Sequence, residues 1–166
     1  MKYIMKHNLL FIGTPVALKE DDFYNGTKAL WHQAYPTQEA YVRQFRLNGS
    51  DYDFAIRENG IGEYAICFGR SDFMKYMIAG LYRGGGVPDK MIVVPVPAFS
   101  FAVIEKEAHF DSLRESLYNE AKEFLLSEEM KDKQKPKFII EHFGSNTRCE
   151  KGLRGELWIP IEPLIK

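Results

Sequence analysis

The sequence predicts a single-domain α+β fold made of two tandem strand-helix-strand-strand units, and three observations carry that reading. Residues 61–69 and 73–82 are apolar, partly alternating runs separated by Gly-Arg-Ser-Asp, the pattern of paired antiparallel strands. Residues 110–126 place Phe110, Leu113, Leu117, Ala121, Phe124 and Leu125 on one face of a helix. The same order of elements then occurs twice, offset by about 90 residues, with halves at about 1–86 and 87–166. Packed as a pseudo-twofold pair, two such units leave a cleft between them.

Each element follows from local chemistry. Residues 7–13 form a short apolar strand that Pro15 prevents from continuing as a central strand. Asp21 or Asp22 can cap a helix that carries Phe23, Leu30, Trp31 and Ala34 until Pro36. A second helical piece begins at Thr37, with Ala40, Tyr41, Phe45 and Leu47 before Asn48-Gly49. Gly84-Gly85-Gly86 links the halves; no Gly-Lys-Ser/Thr follows it, so it is no phosphate loop. The prolines of residues 91–97 suit an edge strand or connector. Residues 99–105 make the next strand, and Lys135-Pro136 closes the connection after the long helix. Residues 137–143 and 156–161 are strands joined by a polar loop, and the charged stretch 127–137 is a solvated helix end.

Composition excludes several function classes. The 166 residues suffice for one core, and no apolar run approaches the ~20 residues that span a bilayer. The start, MKYIMKHNLLFIGTP, has lysines and an apolar stretch but no small-residue cleavage site, so it reads as structure rather than a signal peptide. A net charge of -1 offers no electrostatic reason to bind nucleic acid. Two cysteines, Cys67 and Cys149, fit neither a disulfide framework nor a cysteine zinc site, which points to a reduced cytoplasm. Cys67 in a strand reads as inert, and Cys149 has no activating partner in its loop. His7, His32 and His109 lack metal-ligand spacing, so neither a metal nor another cofactor is expected.

The candidate site rests on carboxylates and rings. Glu141 and Glu156 each stand in a short apolar strand, where an unpaired ionised group is expensive to bury. Strand alternation puts Glu141 with Ile139 and Phe143, and Glu156 with Trp158 and Pro160. A carboxylate beside aromatic faces is what recognition of a flat organic cation needs. Either Glu could instead face solvent or pair with a Lys or Arg. Trp31, Tyr64, Phe68, Tyr76 and Trp158 are the candidate walls, with Met77 and Met91 as adaptable lining, although such residues also fill cores. His142 follows Glu141 directly, points to the opposite face, and cannot form a local catalytic pair with it.

Several marks taken in order resemble the GyrI-like small-molecule-binding domain, also called the bacterial transcription activator effector-binding domain. They are Leu30-Trp31 in the first helix, then Phe68-Gly69, Phe73, Tyr76 and Ala79-Gly80, the entry VVPVPAFSFAVIE, the strand IIEHF, and the run from Glu156 through Trp158 to Ile161. The resemblance covers nearly the whole chain. It implies a ligand groove between the two units, with Glu141 as the carboxylate the ligand meets and Trp31 and Tyr76 beside it. Members of that family serve as sensors of drug-responsive regulators, as drug-sequestering or gyrase-associated proteins, or as hydrolases of cyclopropane-bearing toxins that use the cleft Glu. Because six residues precede His7, no helix-turn-helix is expected, nor direct DNA binding by this chain. The expected function is binding of a small, flat, cationic or amphipathic molecule, with Glu141, Glu156, Trp31, Tyr76, Trp158, Phe68, Tyr64 and Met77 as ligand-binding residues. A hydrolase using Glu141 or Glu156, and a protein-interaction module or homodimer, stand as alternatives.

Overall fold

A strand with apolar side chains on both faces needs cover on both, and two amphipathic helices are at hand to cover one of them. The computed structural model describes residues 2–18, 23–34, 60–70, 73–127, 138–143, 148–149 and 152–163. In chain order these form β1 (Lys2–Lys6), β2 (Leu9–Gly13), β3 (Val16–Leu18), α1 (Phe23–Ala34), β4 (Tyr64–Arg70), β5 (Phe73–Leu81), β6 (Ile92–Val96), β7 (Phe99–Ala108), α2 (Phe110–Leu125), β8 (Phe138–His142), β9 (Arg148–Cys149) and β10 (Gly152–Pro163). Among the described residues the strands make one ten-stranded sheet in the order β1-β7-β10-β8-β4-β5-β2-β6, with β3 on β5 and β9 on β10. Every pairing is antiparallel. The architecture is therefore α+β. No described helix is long and apolar enough to cross a membrane.

Period-two alternation sorts the core into two layers. On the helix side, Ala65, Cys67, Tyr76, Ala102, Ile104, Leu157 and Ile159 from the strands meet Trp31 of α1 and Leu113, Leu117, Ala121 and Phe124 of α2. The other layer is built from strand residues alone, among them Phe11, Tyr64, Ile66, Met77, Phe101, Val103, Ile140 and Trp158. These are buried although no described helix lies over them. Twist and curl of the antiparallel sheet turn this face inward, so that its rings pack on one another: Phe99 on Phe138 and Phe101 on Trp158, at centroid distances of 5.2 and 5.7 Å.

The predicted hairpin, long helix and third-quarter strand appear as β4 with β5, α2 and β7. The edge reading of residues 91–97 holds in β6, which ends the sheet beside β2 and places Pro95 opposite Leu10. Four strands go beyond the sequence reading: β1, the short β3 and β9, and the longer β10. β1, with Lys at both ends, pairs with β7 as the opposite edge, where charged side chains are easily accommodated. β10 begins earlier than residue 156, at Gly152, and pairs with β7 along its length apart from a register shift between Pro160 and Glu162. The helical reading of 37–47 and the charged stretch beyond 127 lie outside the described residues. In the glycine run, Gly84 and Gly85 hold φ of 96° and 92°, values that favour glycine, so this link is a defined turn.

Gly13 marks a close approach of β2 to β5. A Cβ there would stand 2.3 Å from the Ile78 carbonyl oxygen and 2.7 Å from Met77 Cγ. Gly13→Ala is expected to lower unfolding free energy by about 3 kcal/mol through forced strand displacement. Urea denaturation checks this, and an unchanged midpoint would refute the close β2–β5 contact.

Candidate functional site

Among the described residues, the buried polar or charged side chains are Thr27, Arg114 and Glu141, and they touch one another. Glu141 points to the helix side of β8 and is 1% exposed. Its neighbour β4 shows only Ala65 and Cys67 on that side, and these small residues separate Glu141 from Tyr76 on β5. The gap lets the Tyr76 hydroxyl reach across β4 and donate to Glu141 Oε2 at 2.8 Å. Trp31 Nε1 in turn donates to the Tyr76 hydroxyl oxygen at 2.6 Å.

From above, α2 supplies a cation. Arg114 Nε donates to Glu141 Oε1 at 2.7 Å and Nη2 to Oε2 at 3.2 Å, a two-point pairing of planar guanidinium with carboxylate. The same Nη2 donates to Thr27 Oγ1 on α1 at 2.9 Å. One helical turn after Arg114, the Tyr118 hydroxyl donates to Glu141 Oε2 at 2.7 Å. The guanidinium carbon also lies over the Tyr76 and Tyr118 rings, 5.5 and 5.4 Å from their centroids. Both tyrosines thus give a hydroxyl to the anion and a ring face to the cation. Glu141 accepts four hydrogen bonds, one at Oε1 and three at Oε2.

Burial alone would pull the Arg114 guanidinium down, but the adjacent Glu141 charge reverses this and holds it well above its ordinary value. Burial above all, with Glu141 adding to it, pushes the Tyr76 and Tyr118 phenols well up, so both remain neutral donors. The Cys67 thiol beneath them is pushed up to about 12 by burial and by Glu141, and is no nucleophile at neutral pH.

A separate polar cluster lies on the other side of the sheet. Glu156 is directly opposite His142 across β10 and β8. Its Oε1 lies 3.0 Å from His142 Nδ1 and accepts from Trp158 Nε1 at 3.3 Å, while Oε2 pairs with Lys2 at 2.7 Å. The His142 ring stacks on Tyr64 with centroids 4.4 Å apart, and Lys6 lies over the Trp158 ring at 5.4 Å. The contact with His142, then those with Lys2 and Trp158, bring the Glu156 carboxyl down from 4.5 to about 2 against the opposing effect of burial.

No protein-family model matches the chain, and no curated protein matches it. Solved structures do. SAV2435 bound to tetraphenylphosphonium is 15% identical with a TM-score of 0.71, over 97% of this chain and 93% of that one. A Staphylococcus aureus MU50 protein assigned to bacterial transcription regulation is 14% identical with a TM-score of 0.70, over 97% of both chains. The EcmrR C-terminal domain is 11% identical with a TM-score of 0.54, over 98% of this chain and 97% of that one. The chain shares its fold with these proteins.

On this fold the residues expected around one cleft divide between two faces. Trp31, Tyr76 and Glu141 come together under the helices, whereas Tyr64, Phe68, Met77, Glu156 and Trp158 belong to the opposite layer. Strand neighbours point to opposite sides of the sheet, so Glu141 and Glu156 stand on different faces. The sequence reading missed Thr27, Arg114 and Tyr118. Their signal is helical spacing: Arg114 and Tyr118 are four apart, as are Thr27 and Trp31, so each pair shares a face of its helix. Among the described residues no group of three His, Cys, Asp or Glu is placed to hold a metal ion.

The two clusters should respond to different perturbations. Glu141→Leu strands a buried guanidinium and is expected to cost about 3–5 kcal/mol, while Glu141→Leu combined with Arg114→Met costs less than the sum of the single changes. Additive losses in chemical denaturation would contradict the pairing. The Glu156 carboxyl has a folded value below its ordinary 4.5, so its stabilisation is present above that pH and is lost as pH falls towards about 2. Allowing for screening at this half-buried site, the loss is on the order of 1–2 kcal/mol. Acid titration of stability should fall less steeply between those pH values in Glu156→Gln than in wild type, and equal slopes would contradict the assignment.

Proposed function

We propose that this chain is a small-molecule-binding protein whose site lies where α1 and α2 meet over Glu141, and that it takes organic cations. One observation carries the reading: Glu141 already holds a cation there, the Arg114 guanidinium, against the faces of two tyrosines. Carboxylate and ring faces together form a receptor for delocalised positive charge. The fold is shared with SAV2435, which was solved bound to tetraphenylphosphonium, itself an organic cation. The strand order supports a pair of related halves: read outward from the β8–β4 junction, β10 and β7 on one side answer β5 and β2 on the other, and with β1, β3, β6 and β9 set aside each half runs strand, helix, strand, strand in chain order. In that arrangement Thr27 and Trp31 come from one half and Arg114 and Glu141 from the other, so the site sits between them.

Hydrolysis by Glu141 is less well supported. A general base must be reached by water, and this carboxylate is 1% exposed beneath Arg114, Tyr76 and Tyr118.

Isothermal titration calorimetry with tetraphenylphosphonium, an aryl amidine and a flat cationic dye tests the proposal, with mass spectrometry of the recovered ligand. The expected result is binding of at least one of them, weakened more than about tenfold in Glu141→Gln, with the ligand recovered intact. Tyr118→Phe, which keeps the ring and loses only one hydroxyl, provides a milder change should Glu141→Gln not fold, and is expected to weaken binding by a smaller factor. No binding across the panel would overturn the reading, and a chemically altered ligand would replace it with the hydrolase.

A further inference from the structure

We infer that Arg114 is a tethered occupant of the ligand's cation position, and that it thereby selects for planar cations bearing N–H donors. This rests on the proposed cation-binding function and goes beyond it by naming the ligand's head group and the residue that competes with it. The position Arg114 fills has a definite chemistry. Its acceptors are Glu141 Oε1, Glu141 Oε2 and Thr27 Oγ1, reached at 2.7, 3.2 and 2.9 Å by two nitrogens of one flat group. Its walls are the Tyr76 and Tyr118 rings. An amidinium or guanidinium reproduces both features. An ammonium supplies charge without a plane, and a quaternary phosphonium has no N–H to offer Thr27 or the carboxylate.

Occupation by the protein's own side chain has a thermodynamic consequence. A ligand that needs the position must find Arg114 displaced, so its apparent affinity is reduced by the fraction of molecules in which the position is vacant. A position held by Arg114 in more than about nine molecules in ten weakens binding at least about tenfold. Exchange also favours a head group that restores every hydrogen bond Arg114 gives up, because an unpaired Glu141 at 1% exposure is heavily penalised.

The alternative is that Arg114 serves only to lock α2 to α1 and β8. Removal of the side chain separates the two roles. Arg114→Ala would be titrated with benzamidine and with tetraphenylphosphonium, and its melting temperature measured with methylguanidinium or with methylurea, the neutral counterpart of similar shape, at matched ionic strength. Arg114→Met serves for the same measurements if the alanine variant does not fold, since its flexible apolar chain keeps the helix and much of the volume. The expected results are benzamidine binding more than about tenfold tighter than in wild type, a smaller gain for tetraphenylphosphonium, and a melting temperature raised by methylguanidinium but not by methylurea. Benzamidine binding equally to wild type and variant would overturn the inference and leave the cation-binding function standing. Weaker binding to the variant would also overturn it, by making Arg114 a ligand contact. Benzamidine binding to neither protein, with methylguanidinium still stabilising the variant, would support Arg114 as occupant of a cation position and leave the proposed function to the rest of the cation panel.

Discussion

A carboxylate with 1% of its surface exposed has to be met by donors, and the way Glu141 is met decides how both helices sit on the sheet. Its partners come from β5, α2 and, through Arg114 and Tyr76, α1. The network is therefore a joint between the helices and the sheet. Its energetics are those of buried ion pairs in general: the intact pair adds modestly to stability, while loss of one member leaves the other desolvated and uncompensated. Small residues beneath it are part of the same arrangement. Ala65 and Cys67 leave room for the Tyr76 hydroxyl to pass over β4, and a larger side chain at either place would close that path.

The two sides of the sheet answer different physical demands. Under the helices, apolar packing surrounds one buried polar network. On the opposite side, strand residues bury one another, and the polar cluster of Glu156, His142, Lys2 and Trp158 sits among rings. Lys2 on the edge strand β1 reaches both Glu105 on β7 and Glu156 on β10, so this cluster helps to fasten β1 to the strands beside it. Its three partners leave the half-buried Glu156 firmly ionised, a state suited to fastening an edge rather than to proton transfer at neutral pH.

Much of this was legible in the sequence, for identifiable reasons. α2 could be read because Leu113, Leu117, Ala121 and Phe124 repeat at helical spacing over four turns, and β4 with β5 because their apolar runs flank a turn. Alternation also separated Glu141 from His142 correctly, one on each side of β8. What alternation cannot supply is which side of one strand matches which side of the next, so Glu141 and Glu156 looked like candidates for a common cleft. The partners of Glu141 lay further out of reach. Arg114 is 27 residues away, and its contact with Thr27 spans 87, separations at which only the folded chain brings groups together. β1 was hidden for a local reason, since Lys2 and Lys6 bracket only three less polar residues and nothing in so short a run marks a strand.

The central claim is that the Glu141 carboxylate is a cation site with Arg114 as its resident. Nitrogen-15 NMR of the arginine Nε–H groups tests it most directly, with the Arg114 signal assigned by its loss in Arg114→Met. The account predicts a signal protected from solvent exchange in the free protein, as expected for an Nε–H held 2.7 Å from a buried carboxylate, which shifts and loses that protection as benzamidine saturates the protein. A ligand that saturates the protein while this signal stays unshifted and protected would show that the cation binds elsewhere.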